Sequence, residues 1–155
     1  MIGGPNGAGK TTAAMNLMPK LIGCYEYVNA DSIAAGLSPF RPAEISLEAG
    51  RLMIKRIRHL AVQREDFAFE TTMASRSFVR FLKACRKNRY QIHLVYIWLH
   101  STELAIARVA QRVATGGHFV ADGIVRSRYY HGWENFFKLY IPVADTWALY
   151  DNSQL

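Results

Sequence analysis

The first residues of the chain carry a pattern that predicts a phosphate-binding loop. The stretch GPNGAGKT at residues 4–11 fits G-x-x-x-x-G-K-[ST]. Glycines let the backbone approach a ligand closely, and successive N–H groups can form a concave nest for an anion. We predict that ATP and Mg²⁺ bind here, and that the nucleotide contacts the loop residues Gly4, Pro5, Asn6, Gly7, Ala8, Gly9, Lys10, Thr11 and Thr12.

Two side chains of this loop have roles that the pattern predicts. Lys10 reaches the β- and γ-phosphates, and the hydroxyl of Thr11 coordinates Mg²⁺. A helix predicted over residues 10–18 adds its unpaired N-terminal N–H groups and its dipole to the site. A flexible glycine-rich tail is the alternative, but the Lys-Thr pair runs directly into an apolar pattern with helical spacing.

Two carboxylates follow predicted strands and are candidates for the acceptor side of the site. Asp31 comes after a strand predicted over 24–29, and Glu70 ends one predicted over 66–70. Ligands of open α/β folds bind at the carboxyl ends of the strands, where an aspartate can accept the proton of an attacking hydroxyl. We predict that Asp31 is a catalytic base or substrate ligand, and that Glu70 and Thr71 bind the substrate. Capping of the helices that follow is the alternative for both carboxylates.

Three arginines are candidates for stabilising charge on a transferred phosphoryl group. Arg112 leads from a predicted helix into Gly116-Gly117, a sequence typical of a lid turn. Arg126 and Arg128 are two residues apart, so on a helix they face different ways and one of them is expected to reach phosphate. The spacing leaves open which one does so. A surface ion pair is the alternative for Arg112.

Strand-like and helix-like stretches alternate along the rest of the chain. The patterns predict strands at 24–29, 66–70, 92–99 and 146–151, and helices at 46–64, 75–88, 103–114 and 122–140. This order predicts an α/β fold, a P-loop NTPase three-layer sandwich with a mostly parallel sheet. Only Met1 and Ile2 precede the glycine loop, so the first strand is expected to be reduced or missing. We expect a single domain over residues 1–155, truncated at both ends if the chain is a fragment.

The composition favours an anionic ligand and a reducing compartment. The chain carries 19 Lys and Arg against 12 Asp and Glu, which gives a net charge of +7. We interpret the basic run at 83–89 as the solvated end of a helix rather than a nucleic-acid patch, because cations favour that end of the helix dipole. Cys24 and Cys85 stand far apart, no apolar run is long enough for a membrane span, and the N-terminal residues lack the apolar region of a signal peptide. These features predict a cytoplasmic protein with no membrane partner.

Five further motifs follow the glycine loop in order. They are NADSIAAGLSP at 29–39, FETT at 69–72, RVATGGH at 112–118, RSRY at 126–129 and YDNS at 150–153. Together they resemble the motifs of the zeta-toxin-like group of small P-loop kinases, and the resemblance covers nearly the whole chain. Relatives often carry consecutive arginines before the aromatic residue, whereas Ser127 interrupts them here.

The resemblance implies a kinase that uses Mg·ATP to phosphorylate a hydroxyl of a small molecule. In zeta toxins of known activity this acceptor is a sugar hydroxyl of UDP-N-acetylglucosamine, and an antitoxin protein is the partner. The position of Asp31 matches the base of that family, and Glu70 with Thr71 matches its acceptor ligands. The alternative from another class is an ATP-gated or nucleic-acid-binding module without kinase activity, which predicts oligonucleotide binding that weakens steeply with salt.

Overall fold

A five-stranded parallel sheet lies at the centre of the computed structural model, which describes residues 1–117 and 119–154 apart from the side chains of 21 and 22. Its strands are β1 (Ile2–Gly3), β2 (Glu26–Val28), β3 (Phe67–Thr71), β4 (His93–Trp98) and β5 (Thr146–Asp151). They lie in the order β2-β3-β1-β4-β5, and each pair of neighbours is parallel. The predicted α/β fold with a mostly parallel sheet is confirmed. His118, the last residue of the RVATGGH motif, lies outside the described residues.

The first strand is reduced, as predicted, and it occupies the centre of the sheet. β1 has two residues, and Ile2 lies opposite Glu70 of β3 and Val95 of β4. Ile2 is 1% exposed, and the carbonyl of Met1 accepts a hydrogen bond of 3.0 Å from the N–H of Val95. Because β1 is central and ends at Gly3, the glycine loop leaves from the middle of the carboxyl edge of the sheet.

Six α-helices are present in the described part of the chain. They are α1 (Lys10–Leu17), α2 (Ala30–Leu37), α3 (Ser46–Gln63), α4 (Ser77–Lys87), α5 (Thr102–Ala114) and α6 (Asp122–Asn135). A π-helical turn follows α1 at Met18–Ile22, and another follows α6 at Phe136–Tyr140. With the second turn counted as part of α6, the predicted helices at 46–64, 75–88, 103–114 and 122–140 agree closely with α3 to α6.

Hydrophobic side chains cover both faces of the sheet, which gives the fold three layers. Along β4, Leu94 and Tyr96 pack in one cluster with residues of α3 and α4, whereas Ile97 packs in a second cluster with residues of α1 and α5. A parallel strand that is buried on both faces needs a nearly continuous apolar run, which explains the composition of 92–99. None of the helices in the described residues has the length and apolarity that a membrane span requires.

The close approach of α6 to the end of β3 depends on Gly132. A Cβ atom at this position would lie 2.2 Å from the carbonyl oxygen of Thr72, which belongs to the backbone and cannot simply rotate away. We expect Gly132→Ala to destabilise the protein by about 1–3 kcal/mol, since overpacking a well-packed interior costs that much. The melting temperature of a chain of this length should then fall by about 2–4 °C for each kcal/mol.

Gly123→Ala is the matched control on the same helix. No atom outside its immediate neighbourhood lies within 4 Å of a Cβ atom built at Gly123. This alanine should leave the melting temperature unchanged or raise it, because alanine favours a helix over glycine by up to about 1 kcal/mol. Thermal unfolding of both variants distinguishes the two sites, and equal losses of stability would contradict this account of the packing.

Candidate active site

The glycine loop connects β1 to α1 through backbone conformations that other residues rarely adopt. The φ angle is +142° at Gly4 and +83° at Gly9, and Gly9 is the N-cap residue of α1. A Cβ atom at Gly4 would lie 2.2 Å from the carbonyl oxygen of Ile97, so the loop passes directly over β4. Left-handed turns next to a helix N-terminus gather N–H groups on one side, and such a nest binds phosphate.

Lys10 lies buried at the start of α1 with its ammonium group inside the loop. Its Nζ atom donates a hydrogen bond of 2.9 Å to the carbonyl of Pro5. Burial lowers the pKa of Lys10 below its ordinary value, and the negative charges of Glu70 and Asp31 act in the opposite direction. Lys10 is a buried cation whose hydrogen-bond partner is a neutral carbonyl. A negatively charged phosphate oxygen makes a stronger hydrogen bond, so Lys10 is suited to exchange the Pro5 carbonyl for a phosphate.

A hydrogen-bonded network joins Thr11 of the loop to the ends of β2 and β3. The hydroxyl of Thr11 donates to Oε2 of Glu70 at 2.9 Å, and the hydroxyl of Tyr27 donates to the same oxygen. Nδ2 of Asn29 donates to Oγ1 of Thr11 at 3.2 Å. Burial, followed by the nearby charge of Glu70, raises the pKa of Tyr27. Tyr27 therefore stays a neutral donor, and one oxygen of Glu70 accepts two hydrogen bonds.

Asp31 lies in the first turn of α2 and does not cap that helix. Asn29 is the N-cap residue, because its side chain accepts a hydrogen bond of 3.1 Å from the N–H of Ser32. Oδ2 of Asp31 lies 3.9 Å from Nη1 of Arg112, which belongs to the last turn of α5. Both side chains are partly exposed, so this ion pair adds little stability and its partners can separate when a ligand binds.

The structure separates the two arginines of the RSRY motif. Arg126 donates hydrogen bonds to Oγ1 of Thr102 at 2.9 Å and to Oε1 of Glu103 at 2.6 Å. The hydrogen bond from Arg126 is the main cause that lowers the pKa of Glu103 to about 2. Arg128 instead lines the cleft above the loop, where its charge helps to lower the pKa of Lys10. Arg128 is thus the arginine of this motif that the fold brings to the site.

An open cleft of about 1600 Å³ contains most of the predicted site residues. A pocket for a single small molecule typically has about 300–1,000 Å³, so this cleft has room for a nucleotide and an acceptor. The predicted residues that line it are Asn6, Gly7, Gly9, Lys10, Thr11, Thr12, Asp31, Glu70, Thr71, Arg112 and Arg128. The predicted residues outside the lining are Gly4, Pro5 and Ala8, which are buried in the loop, and Arg126.

The oxygen atoms beside the loop suit a hard divalent cation. The described residues contain no cluster of three or more His, Cys, Asp and Glu that could hold a metal by themselves. The Thr11 hydroxyl and the Glu70 carboxylate, 2.9 Å apart, are the kind of oxygen ligands that Mg²⁺ prefers when phosphates complete its shell. The donor set therefore fits Mg²⁺ brought in with a nucleotide.

Sequence reasoning missed the roles of Tyr27 and Asn29. These residues are two positions apart at the end of β2, so their side chains point to the same face of the sheet. Two polar side chains with that spacing, next to the predicted acid Asp31, are the signal that could have identified them. Thr71 was expected to bind substrate; its Oγ1 accepts a hydrogen bond of 3.1 Å from the N–H of Met73.

The chain matches a known family and a bacterial relative. Residues 1–127 match the family described as an AAA domain. A protein of Haemophilus influenzae, described as uncharacterised, is 33% identical over 127 residues, which make up 81% of this chain and 88% of that protein.

Two solved structures share the fold at low sequence identity. The complex of AvrRxo1-ORF1 and ORF2 with ATP matches with a TM-score of 0.77 and 16% identity, over 99% of this chain and 54% of that one. The PezAT toxin–antitoxin system of Streptococcus pneumoniae matches with a TM-score of 0.66 and 14% identity, over 97% of this chain and 67% of that one. This chain thus spans about half the length of the chain that it matches in the AvrRxo1 complex.

Proposed function

The chain belongs to the AAA domain family, and on this premise we propose that it transfers the γ-phosphoryl group of ATP to a hydroxyl of a small molecule. The single observation that carries the proposal is the position of Asp31 and Arg112. They face one another 3.9 Å apart in the same cleft as the phosphate loop. A site that only binds a nucleotide has no need of a carboxylate and an arginine paired in the cleft next to the phosphate loop.

The donor half of the site consists of the loop and Lys10. Loop N–H groups and the N-terminus of α1 bind the phosphates, and the Lys10 ammonium replaces its bond to Pro5 by one to a phosphate oxygen. Thr11 and Glu70 would hold Mg²⁺, which neutralises charge on the phosphates when bound. Phosphoryl transfer needs positioning and electrostatic stabilisation more than reactive side chains, and this cleft supplies both.

The acceptor half of the site is built around Asp31. A substrate hydroxyl gives its proton to Asp31 while its oxygen forms a bond to the γ-phosphorus, and the bond between that phosphorus and the bridging oxygen of ADP breaks. Arg112 leaves Asp31 to stabilise charge on the transferred group, and Arg128 contributes from α6. Asp31 and Arg112 are therefore paired in the free protein and exchange partners during the reaction.

UDP-N-acetylglucosamine is the acceptor that the zeta-toxin-like motifs favour. The volume of the cleft supports two ligands of nucleotide size. In this proposal Thr71 and Glu70 help to place the sugar, and an antitoxin protein is the partner that blocks the cleft. The PezAT structure, which has the same fold, comes from a toxin–antitoxin system.

The free cysteines Cys24 and Cys85 fit the reducing environment of the cytoplasm.

Release of ADP tests the proposed reaction. We expect ATP consumption by the wild-type protein to rise when UDP-N-acetylglucosamine is added, because a hydroxyl held next to the γ-phosphorus attacks it faster than water does. Replacing Lys10 should remove that response. A rate of ADP release that is the same with and without any sugar nucleotide would contradict kinase activity toward this class of acceptor.

Glu70 has two proposed roles, as a ligand of Mg²⁺ and as a ligand of the acceptor. The variant Glu70→Gln distinguishes these roles. The neutral amide keeps the shape of the side chain but loses the charge that a cation requires, so we expect the Mg²⁺ concentration for half-maximal activity to rise about tenfold, the scale of a perturbed metal ligand shell. Magnesium titrations at fixed ATP measure this. Gln63→Glu at the end of α3 is a control for charge at an unrelated site. A higher KM for the acceptor with an unchanged magnesium requirement would assign Glu70 to the acceptor alone.

The nucleic-acid-binding alternative has one observation in its favour. The segment 46–89 contains eleven Lys and Arg and four Asp and Glu, so it carries a charge equal to the net charge of the chain, +7. None of these cations lines the cleft. Oligonucleotide binding through the cations of this segment would therefore be independent of ATP and would weaken steeply with salt.

A further inference from the structure

The YDNS motif folds against the glycine loop although Asn152 and Ala8 are 144 positions apart in the sequence. The N–H of Asn152 donates to the carbonyl of Trp98 at 3.0 Å and continues the pairing of β5 with β4. Oγ of Ser153 accepts a hydrogen bond of 2.9 Å from the N–H of His100. These contacts fix the residues after β5 at the carboxyl edge of the sheet, next to the loop that β1 supplies.

The side chain of Asn152 contacts the backbone of the loop itself. Its Nδ2 atom donates a hydrogen bond of 3.0 Å to the carbonyl of Ala8, a residue with no exposed surface. A Cβ atom at Gly9 would lie 2.9 Å from Nδ2, so the glycine permits this close contact. The peptide between Ala8 and Gly9 is trans, as are all peptides of the described chain, and the Gly9 N–H therefore points away from Asn152.

Arg108 binds the backbone of Asn152. Its Nη1 atom donates a hydrogen bond of 2.8 Å to the carbonyl of Asn152. Arg108 is on α5, four residues before Arg112, and both side chains line the cleft. A charged donor on a backbone carbonyl makes a stronger hydrogen bond than a neutral one, so Arg108 restrains the Asn152 backbone firmly.

We propose that Asn152 and Arg108 form a latch that holds the glycine loop in the conformation that accepts phosphate. Asn152 fixes the outward direction of the Ala8 carbonyl, and this turns the Gly9 N–H toward the anion. Asn152 is a positioning residue in this proposal, since it acts through the loop and not on the reacting atoms. The latch rests on the proposed function, because it assumes that the loop binds the phosphates of ATP.

Asn152→Asp tests the latch, because the carboxylate has the same shape but places an acceptor against the Ala8 carbonyl. We expect the Kd for ATP to rise about tenfold, the scale of a lost hydrogen bond with an acceptor left unpaired. Asn152→Ala should give a smaller rise, and so should Arg108→Met. The acceptor KM should change much less than the Kd for ATP, a separation that a merely loosened fold would not produce.

Calorimetric titration with ATP alone provides the affinity, and Asn88→Asp at the end of α4 is the matched control. Wild-type protein that binds ATP but phosphorylates no acceptor would defeat the proposed kinase function, while the titrations would still measure the latch. Wild-type affinity in both Asn152 variants would overturn the latch. A fall in kcat at saturating ATP without a change in ATP affinity would overturn it as well.

Discussion

Lys10→Met is expected to abolish phosphoryl transfer and at the same time to raise the melting temperature of the protein. Lys10 supplies a preorganised cation to the β- and γ-phosphates, and losing one such donor typically lowers kcat about 10²–10³-fold. The same ammonium is buried against a carbonyl in the free protein, and burial lowers its pKa. The charged form is therefore disfavoured by the fold, and an apolar side chain of similar length removes that cost.

The pH dependence of stability has a definite sign for Lys10. Its pKa in the folded protein lies below the value in the unfolded chain. Between these two values the unfolded chain binds more protons, so the stability of the wild-type protein rises with pH through that range. The advantage of Lys10→Met in melting temperature should then shrink as the pH is raised from neutral toward the ordinary pKa of lysine.

Thermal unfolding at several pH values, with and without ATP, measures both effects. Lys138→Met is the control, because Lys138 is exposed and pairs with Glu134 at 2.7 Å on the surface. ATP should stabilise the wild type and the control but not Lys10→Met. A Lys10 variant that melts below the wild type without nucleotide, or that retains transfer, would show that Lys10 has a structural role instead.

Asp31→Asn should remove transfer and leave ATP binding intact. The amide cannot accept the proton of the attacking hydroxyl, and general base catalysis typically contributes about 10²–10⁴-fold to the rate. Asp31 is paired with Arg112 of α5 rather than with a residue of the glycine loop, and this ion pair is partly exposed. We therefore expect the Kd for ATP and the melting temperature to stay close to those of the wild type.

Asp122→Asn is the matched control for this substitution. Asp122 is also an acidic residue in the first turn of a helix, but it belongs to α6 and does not line the cleft. Any general effect of losing a carboxylate at a helix N-terminus appears in both variants. Rapid-quench measurement of one turnover separates chemistry from product release. Equal rates for the wild type and Asp31→Asn would rule out Asp31 as the base.

The parts of the site that the sequence predicted are those that local pattern determines. The glycine loop, the alternation of strands and helices and the reduced β1 follow from neighbouring residues. Asp31 was predicted because it follows a strand, and the structure adds that Asn29 takes the capping role. Short-range spacing is sufficient for each of these inferences.

The remaining features depend on which strands become neighbours. Glu70 meets Thr11 because β3 lies beside β1, and Asn152 meets Ala8 because β5 lies beside β4. Helical spacing showed that Arg126 and Arg128 face different ways, but it could not show which of them lines the cleft. That depends on α5, because Glu103 of α5 binds Arg126. Contacts across such sequence distances come from the topology and cannot be read from local pattern.

Phosphate transfer followed by mass spectrometry tests the central claim most directly. The protein is incubated with Mg²⁺, ATP and UDP-N-acetylglucosamine, with Lys10→Ala in parallel. We predict that the nucleotide sugar gains the mass of one phosphate in the wild-type reaction and remains unchanged with Lys10→Ala. A protein that binds ATP but leaves the sugar unmodified, or a mass gain that persists with Lys10→Ala, would contradict transfer from this cleft to such an acceptor.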